Sequence, residues 1–561
     1  MEGKETTQDY SSPHFGKFIK HILIMTIVLY PLTYFFFIFP QKPNPILSYT
    51  NSVVNNYLIL ITLAFILAAA ATNLYKEASF IYRKREEIFI LFLALNVAYA
   101  FFLFLNSVER YNSFASQAID VPYFHYALVQ LSNFKIPFIW DIPTRYVWAD
   151  HISFILIFLA PIYWIAKSPT LLMAVETLIV LSGSIPLYYS SKNVLKSRFL
   201  ALSLVTGYLT FGGLQYGYAY GFHEIVLFPT FFFWMYYFYI KEKIWFYFAF
   251  VLLALSIKEE VSFIMMAWGA YIAFFQKKKI YPIGTILLGS FWFFLCFYIL
   301  FPYFTQGGSF GYWNQYGGGR GGIAGMLISA LADPVSFLHN LVTPFHKIVT
   351  IFYTFGPFAF LPLFYPPSAL IIAPSLLEKI ASDGFASYNG LHYSSAIAGV
   401  TLIACIETLR FQLNNRFKLL SKLTILRRKE FWVILITYSA VSSSILYGYL
   451  PLSPFYLFRQ DPGILSYEES TTLQNTIDSI PKSASVSAHS IIIPHLNKPL
   501  GMVKHGPQPN DDADYIIWDN NLPDYLYSDP VEKVMNSLIF EQKKYEIVVY
   551  KNNVILLKRI R

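Results

Sequence analysis

Residues 152–166 read ISFILIFLAPIYWIA, and the orientation of the whole chain turns on whether this run crosses a membrane. A helix needs about 20 apolar residues to cover the hydrocarbon core of a bilayer. This run is shorter, opens directly after Asp150-His151 and contains Pro161, which withdraws a helical N–H. It is therefore predicted to be re-entrant or interfacial. With the run held to one face, five basic stretches fall on the other. They are Lys76/Arg83/Lys84/Arg85, Lys192/Lys196/Arg198, Lys241/Lys243, Lys277/Lys278/Lys279, and the seven basic residues from Arg410 to Lys429. Loops rich in Lys and Arg stay cytoplasmic. The N-terminus is then predicted inside and the C-terminal tail outside.

The rest of the chain supports a membrane reading. Its 561 residues are 55% hydrophobic, 19% aromatic and 13% charged. Soluble domains carry about 25% charged residues. This excludes a single soluble domain, a disordered chain and a disulfide scaffold. The two cysteines, Cys296 and Cys405, both lie in apolar runs. About thirteen transmembrane helices are expected, near 19–39, 57–75, 88–106, 169–189, 199–216, 225–240, 244–256, 261–275, 280–301, 347–366, 367–379, 394–409 and 430–449. No cleavable signal peptide is expected, since the first apolar run is long and lacks a small-residue cleavage site.

Charge divides the chain. Residues 451–561 hold 11 Lys+Arg and 13 Asp+Glu, while the first 450 hold 31 basic and 20 acidic residues. The positive excess thus belongs to the membrane part, where it reports topology and lipid headgroups and gives no case for nucleic acid. Four regions follow: N-terminal helices 1–106, a first long outer loop 107–168, a core 169–450 and a soluble tail 451–561. The core carries a second outer loop, 302–346, rich in glycine (Gly307-Gly308 and Gly317 to Gly322 around Arg320). This loop reads as a mobile cover over a cavity or as a slack linker. It lacks the preceding strand and the Gly-Lys-Ser/Thr ending of a phosphate loop. In the tail, 483–488, 515–518, 545–550 and 554–558 read as strands and 470–479 and 530–540 as helices. The fold class is an all-α polytopic membrane bundle with a small extracytoplasmic α/β C-terminal domain.

With that topology the outer face collects Asp120, Asp141, Asp150, Glu224, Glu259, Glu260, Asp333 and Asp383. Carboxylates near hydrocarbon are costly unless paired, hydrated or metal-bound. Glu109 and Glu378 adjoin Arg110 and Lys379 and are set aside; Asp141 and Asp333 read as wet loop acids. Asp120 stands among apolar and aromatic neighbours, which suits a general base with a raised pKa, or a helix cap. Asp150-His151 suits a metal or a substrate hydroxyl, with Asp150 equally suited to cap the 152–166 helix. His223-Glu224 follows an aromatic stretch, Gln215 to Tyr220, able to line a sugar cleft. Lys258 beside Glu259-Glu260 suits a phosphate, or a local ion pair. Glu176 lies mid-helix, as a functional acid or the partner of a neighbouring polar group. His392-Tyr393 opens a late span at the same face.

Those residues carry a resemblance. The order Phe114…Asp120, Asp150-His151-Ile152-Ser153, Leu159-Ala160-Pro161, Ile185-Pro186-Leu187-Tyr188, Phe222-His223-Glu224, Lys258-Glu259-Glu260 and His392-Tyr393 is similar to the membrane-protein family named domain of unknown function 2079. In the tail, Ser485-Val486-Ser487-Ala488, Pro494-His495-Leu496 and Ala513-Asp514-Tyr515 are similar to it as well. The likeness covers about residues 100–561. The family is grouped with the glycosyltransferase C (GT-C) superfamily. The resemblance implies a polytopic enzyme with an acid in the first outer loop, a second acid at the next outer turn and a polyprenyl-phosphate sugar donor. It also implies inversion at the anomeric carbon and, in some members, a divalent cation such as Mg or Mn. Asp120 matches the first acid and Glu224 the second; both are the candidate catalytic residues and candidate metal ligands. The superfamily's usual acid pair in the first loop is missing here, since Asp120 stands alone.

On this reading Asp120 is the base. Asp150, His151, His223, Glu224, Glu259 and His392 position the substrates, and Lys258 or Arg320 neutralises the phosphate. The partners are the membrane lipid and the lipid-linked donor; the acceptor is left open. Two rivals stand beside it: a transporter or flippase, and a non-catalytic assembly protein that binds through its tail. Against transport, the sequence has no inverted repeat and no matched pair of broken helices.

Overall fold

The computed structural model describes residues 45–75, 84–114, 120–138, 146–316 apart from 277, 330–343, 346–387 and most of 388–414. It continues with 424–448, 465–522 apart from 490, 497 and 499, and 530–560, together with a few single positions. The expected span at 19–39, Asp141 and Arg320 lie outside the described residues.

Most of the described chain is helical. Five helical stretches are long and apolar enough to cross a bilayer: Arg85–Asn112, Pro169–Leu195, Ile280–Phe304, His392–Leu413 and Lys429–Tyr447. Further apolar helices are shorter, among them Glu224–Ile240, Ile244–Leu255 and Val261–Phe275. Arg85–Asn112 has 28 residues, about 42 Å at 1.5 Å per residue. Glu86 and Glu87 stand in its first turn and Arg110 in its last, each complementing the helix dipole. Ile90, Leu91, Leu95, Val97 and Phe101 on its flank are 60–63% exposed, an apolar face that only lipid or another protein can cover. Ser395–Leu413 is the opposite case, buried along almost its whole length at the centre of the bundle. Its one acid, Glu407, accepts hydrogen bonds from the hydroxyls of Tyr236 and Tyr271.

Residues 152–166 form a five-residue α-helix, Ile155–Leu159, and a 3-10 turn, Ala160–Trp164. Five α and five 3-10 residues span about 18 Å, well short of the hydrocarbon thickness of about 30 Å. The segment is held at one level. The Ile155 N–H donates to Ser256 O at 2.7 Å, the Trp164 indole to Ser132 O at 2.7 Å, and Tyr163 bonds His125 at 2.9 Å.

Two expected spans differ in detail. The run 199–216 is divided into Arg198–Leu209 and Gly212–Tyr220, with the break at Thr210-Phe211. The run 347–366 is a helix only to Phe355 and then two 3-10 turns, because Pro357 and Pro362 withdraw N–H donors and Ala359 and Phe360 take left-handed backbones. Elsewhere a glycine sets the packing. A Cβ on Gly183 would lie 2.6 Å from Thr230 Oγ1, so its absence lets helix Phe228–Ile240 approach.

The tail holds a five-stranded sheet: β1 (Val486–Ala488), β2 (Val503–His505), β3 (Tyr515–Asp519), β4 (Tyr545–Lys551) and β5 (Val554–Arg559). The order is β2-β1-β3-β5-β4, parallel across β2, β1 and β3 and antiparallel through β5 and β4. Asn552 and Asn553, both at positive φ, turn the β4–β5 hairpin. Strand β2 was absent from the sequence reading. Helix Tyr467–Asp478 begins three residues before the expected start, at a Ser466/Glu469 capping box.

His495 of the tail is sandwiched between Tyr111 and Phe114, at ring distances of 4.4 and 3.8 Å, and the Tyr111 hydroxyl donates to Pro494 O at 3.0 Å. Aromatic pairs of this kind contribute about 0.5–1.5 kcal/mol each beyond area burial. The His495→Ala variant is expected to lower the stability of the docked tail by about 2 kcal/mol. Hydrogen exchange on β1 and β3 would show it as lost protection, with the membrane helices unchanged.

Candidate functional site

Five separate segments bring polar side chains to one end of the bundle. Asp120 is the first residue of helix Asp120–Ser132, where the helix dipole favours an acid. Tyr123 in the same turn donates its hydroxyl to Val147 O at 2.9 Å and so ties this helix to the Asp150 segment. Val147–Asp150 is a single helical turn, after which His151 is extended. His223 and Glu224 follow Gly221, whose φ of +133° reverses the chain in a conformation that L residues rarely adopt. Lys258 and Glu259 form the turn before helix Val261–Phe275, and His392 opens a 3-10 turn.

Glu259 is 1% exposed, yet both of its oxygens are satisfied. His151 Nδ1 lies 2.8 Å from Oε1, and the Ile152 N–H donates to Oε2 at 2.9 Å. Burial alone would raise this carboxyl, but the His151 charge and hydrogen bond, with Lys258, lower it below the usual range. For His151, burial and Lys258 pull down, and Glu259 and Asp150 outweigh them, so its pKa rises to about 9. The pair is thus an imidazolium and a carboxylate at neutral pH. Asp150 accepts from the Tyr312 hydroxyl at 2.6 Å, and the Tyr312 ring stacks on His151 at 5.2 Å. Asp150 therefore does not cap helix Ile155–Leu159, which has no side-chain cap.

Lys258 is buried and lies 3.5 Å from Glu260 and 5.5 Å from the Tyr393 ring centre. Burial would lower its pKa, but Glu260, Glu224 and Glu259 keep it well above the usual lysine value. Asp120 is pushed up to about 6, first by burial and then by the charge of Asp150, with His151 and Lys258 pulling the other way. A carboxyl with that pKa is a competent base at neutral pH.

His223 and His392 stack face to face at 3.4 Å, and one ligand atom each from Asp120, His223 and His392 lies within 4.8 Å of the others. The rings are parallel to within 14°, so their in-plane lone pairs do not converge on a common point. As placed, the three do not make a coordination sphere. Glu224 is fully buried, with Oε2 3.1 Å from His223 Nδ1 at an angle that forms no hydrogen bond. Glu176 accepts the backbone N–H of His223 at 3.0 Å, which makes it a prop for this turn.

The structure thus brings Asp120, Asp150, His151, His223, Glu224, Lys258, Glu259 and His392 into one polar cluster. It places Asp333 elsewhere, as the N-cap of helix Pro334–Val342, and Asp383 against Lys347 at 3.0 Å. Sequence reasoning missed Tyr312, which no motif marks, and set aside Glu378, whose carboxyl lies beside that of Glu260.

The His151–Glu259 pair gives a pH dependence. A pKa raised from 6.5 to about 9 contributes stability that is complete below about 6.5 and is lost as pH rises through about 9. Glu259→Gln is expected to cost about 3 kcal/mol at pH 7, as breaking a buried pair does. Thermal unfolding of the detergent-solubilised protein would show the loss. The variant's midpoint is expected to fall less between pH 7 and 10 than that of the parent.

The family described as "Predicted membrane protein (DUF2079)" matches residues 133–556. No curated protein matches the chain. Among solved structures, ArnT from Cupriavidus metallidurans bound to undecaprenyl phosphate superposes with a TM-score of 0.45 at 9% identity, over 83% of this chain and 98% of that one. The apo state of the same protein gives a TM-score of 0.44 at the same identity and coverage. The family match runs through most of the membrane helices, the tail sheet and the polar cluster except Asp120, which precedes it, and the chain belongs to the DUF2079 family of predicted membrane proteins.

Proposed function

We propose that this protein is a membrane glycosyltransferase of GT-C type that transfers a sugar from a polyprenyl-phosphate donor to an extracytoplasmic acceptor. The observation that carries the reading is the cluster itself. Asp120, with its carboxyl poised near neutrality, shares one site with Asp150, His151, Lys258, His223 and His392. A lipid-linked donor keeps its chain in the bilayer, which puts its phosphate at the interface where these helix ends meet. The acceptor nucleophile attacks the anomeric carbon with inversion, and its proton passes to Asp120. The bond from that carbon to the phosphate oxygen breaks, and polyprenyl phosphate leaves. Lys258 or Arg320 neutralises its charge; Glu224, His223 and Asp150-His151 orient the acceptor. Thirteen spans, a cytoplasmic N-terminus and an extracytoplasmic tail complete the proposal.

Asp120→Asn is expected to lower sugar transfer in membranes by about 100-fold or more while donor binding persists. Unchanged turnover would remove Asp120 from the mechanism. In the parent, turnover is expected to fall as pH drops through about 6, where the base becomes protonated. Labelled donor that crosses the bilayer with its sugar intact would replace transfer by transport. A reporter fused after residue 561 is expected to be active only outside the cytoplasm.

A further inference from the structure

We propose that the basic end of the bundle holds a binding site for the phosphate of an anionic phospholipid headgroup. The site is a cavity of about 480 Å³ lined by Arg85, Glu86, Lys192, Lys196 and Arg198, with Asn193 and Ser197. Three helix ends enclose it: the start of Arg85–Asn112, the end of Ser184–Leu195 and the start of Arg198–Leu209. Four cations thus face a single acid. Glu86 pairs with Arg198, and no described carboxylate lies within ion-pair distance of Arg85, Lys192 or Lys196. Lys429 adds a further cation at the rim, donating to Lys196 O at 3.0 Å.

Three of the four cations lie over aromatic rings. The Arg198 guanidinium lies 4.4 Å from the Phe89 ring centre and 5.6 Å from that of Phe199. Arg85 lies 5.8 Å above Phe199, and Lys192 lies 5.9 Å from Tyr188. Stacking on the rings leaves guanidinium edges turned away from the rings, apart from the Arg198 nitrogen that Glu86 holds, and such edges suit phosphate. On helix Arg85–Asn112 stand Ile90 and Leu91, 63% and 62% exposed, and on helix Ser184–Leu195 Ile185 and Tyr189 at about half exposure. Both helices thus carry exposed apolar side chains close in sequence to the ring-bearing residues, which acyl chains would cover. A free anion would use the cations alone, whereas a phospholipid uses both features, and this joint fit selects the lipid. The inference is independent of sugar transfer.

The test uses the full-length purified protein in a neutral detergent and reads thermal midpoint against added short-chain phosphatidylglycerol, phosphatidylcholine or inorganic phosphate. Phosphatidylglycerol is expected to raise the midpoint of the parent in a saturable way, and the other two to leave it unchanged. The double variant Lys192→Gln/Lys196→Gln is expected to bind phosphatidylglycerol about 30-fold more weakly, from about 1 kcal/mol per cation. Glu86→Gln, which frees Arg198, is expected to bind it several-fold more tightly. This second variant keeps the test decisive should the first fail to fold. An equal shift with phosphatidylcholine, an equal shift with inorganic phosphate, or unchanged affinity in both variants would overturn the proposal.

Discussion

A carboxylate shut away from water must find partners, and Glu259 finds them in the imidazole of His151 and the N–H of Ile152. That contact joins two segments more than a hundred residues apart. It anchors the start of the 152–166 run at the turn where Glu259 sits, and the Ile155 N–H bond to Ser256 O repeats the anchor one turn on. The run is then a short helix lying at one level. Asp150, just before it, is presented to Tyr312, and the charge of Asp150 is what raises Asp120 beyond the effect of burial.

The same demand shapes the neighbouring turn. Glu176 comes from the middle of an apolar helix and spends one oxygen on the backbone N–H of His223. The turn after Gly221 is thereby held against the bundle, with His223 stacked on His392. In each case a carboxylate oxygen on one element takes a hydrogen bond from the backbone or ring of a distant one. Polar groups that water would otherwise satisfy act as ties between segments, because burial makes an unpaired one expensive.

The opposite end follows another rule. Lys192, Arg85 and Arg198 need no buried partner, since their charged heads remain near water while each lies over an aromatic ring. The acids and imidazoles converge on a closed cluster, and the cations ring an open cavity. A single chain thus has one end suited to holding a reaction and one suited to meeting a charged lipid surface.

Much of this was legible in residues 100–560. The apolar runs, the shortness of 152–166 and the strand pattern of 515–518 and 545–558 are local properties, and they reappear as elements because helix length and period-two patterning depend on nearby residues alone. So does the singling out of Asp120, Asp150-His151, His223-Glu224, Lys258-Glu259 and His392 as unusual among apolar neighbours. Composition and order therefore determined a membrane bundle with a small α/β tail, and which side chains it has to accommodate. Only the tertiary structure decided which of them meet. The Lys258–Glu260 pair joins residues two apart and is the local ion pair that the sequence already offers, but that Glu259 takes His151 depends on how segments 108 residues apart stack. The same is true of Tyr312 reaching Asp150 from a glycine-rich loop, and of Glu378 joining Glu260 rather than serving its neighbour Lys379. No spacing along the chain encodes such contacts, because each is chosen by which buried polar group has an unsatisfied partner within reach.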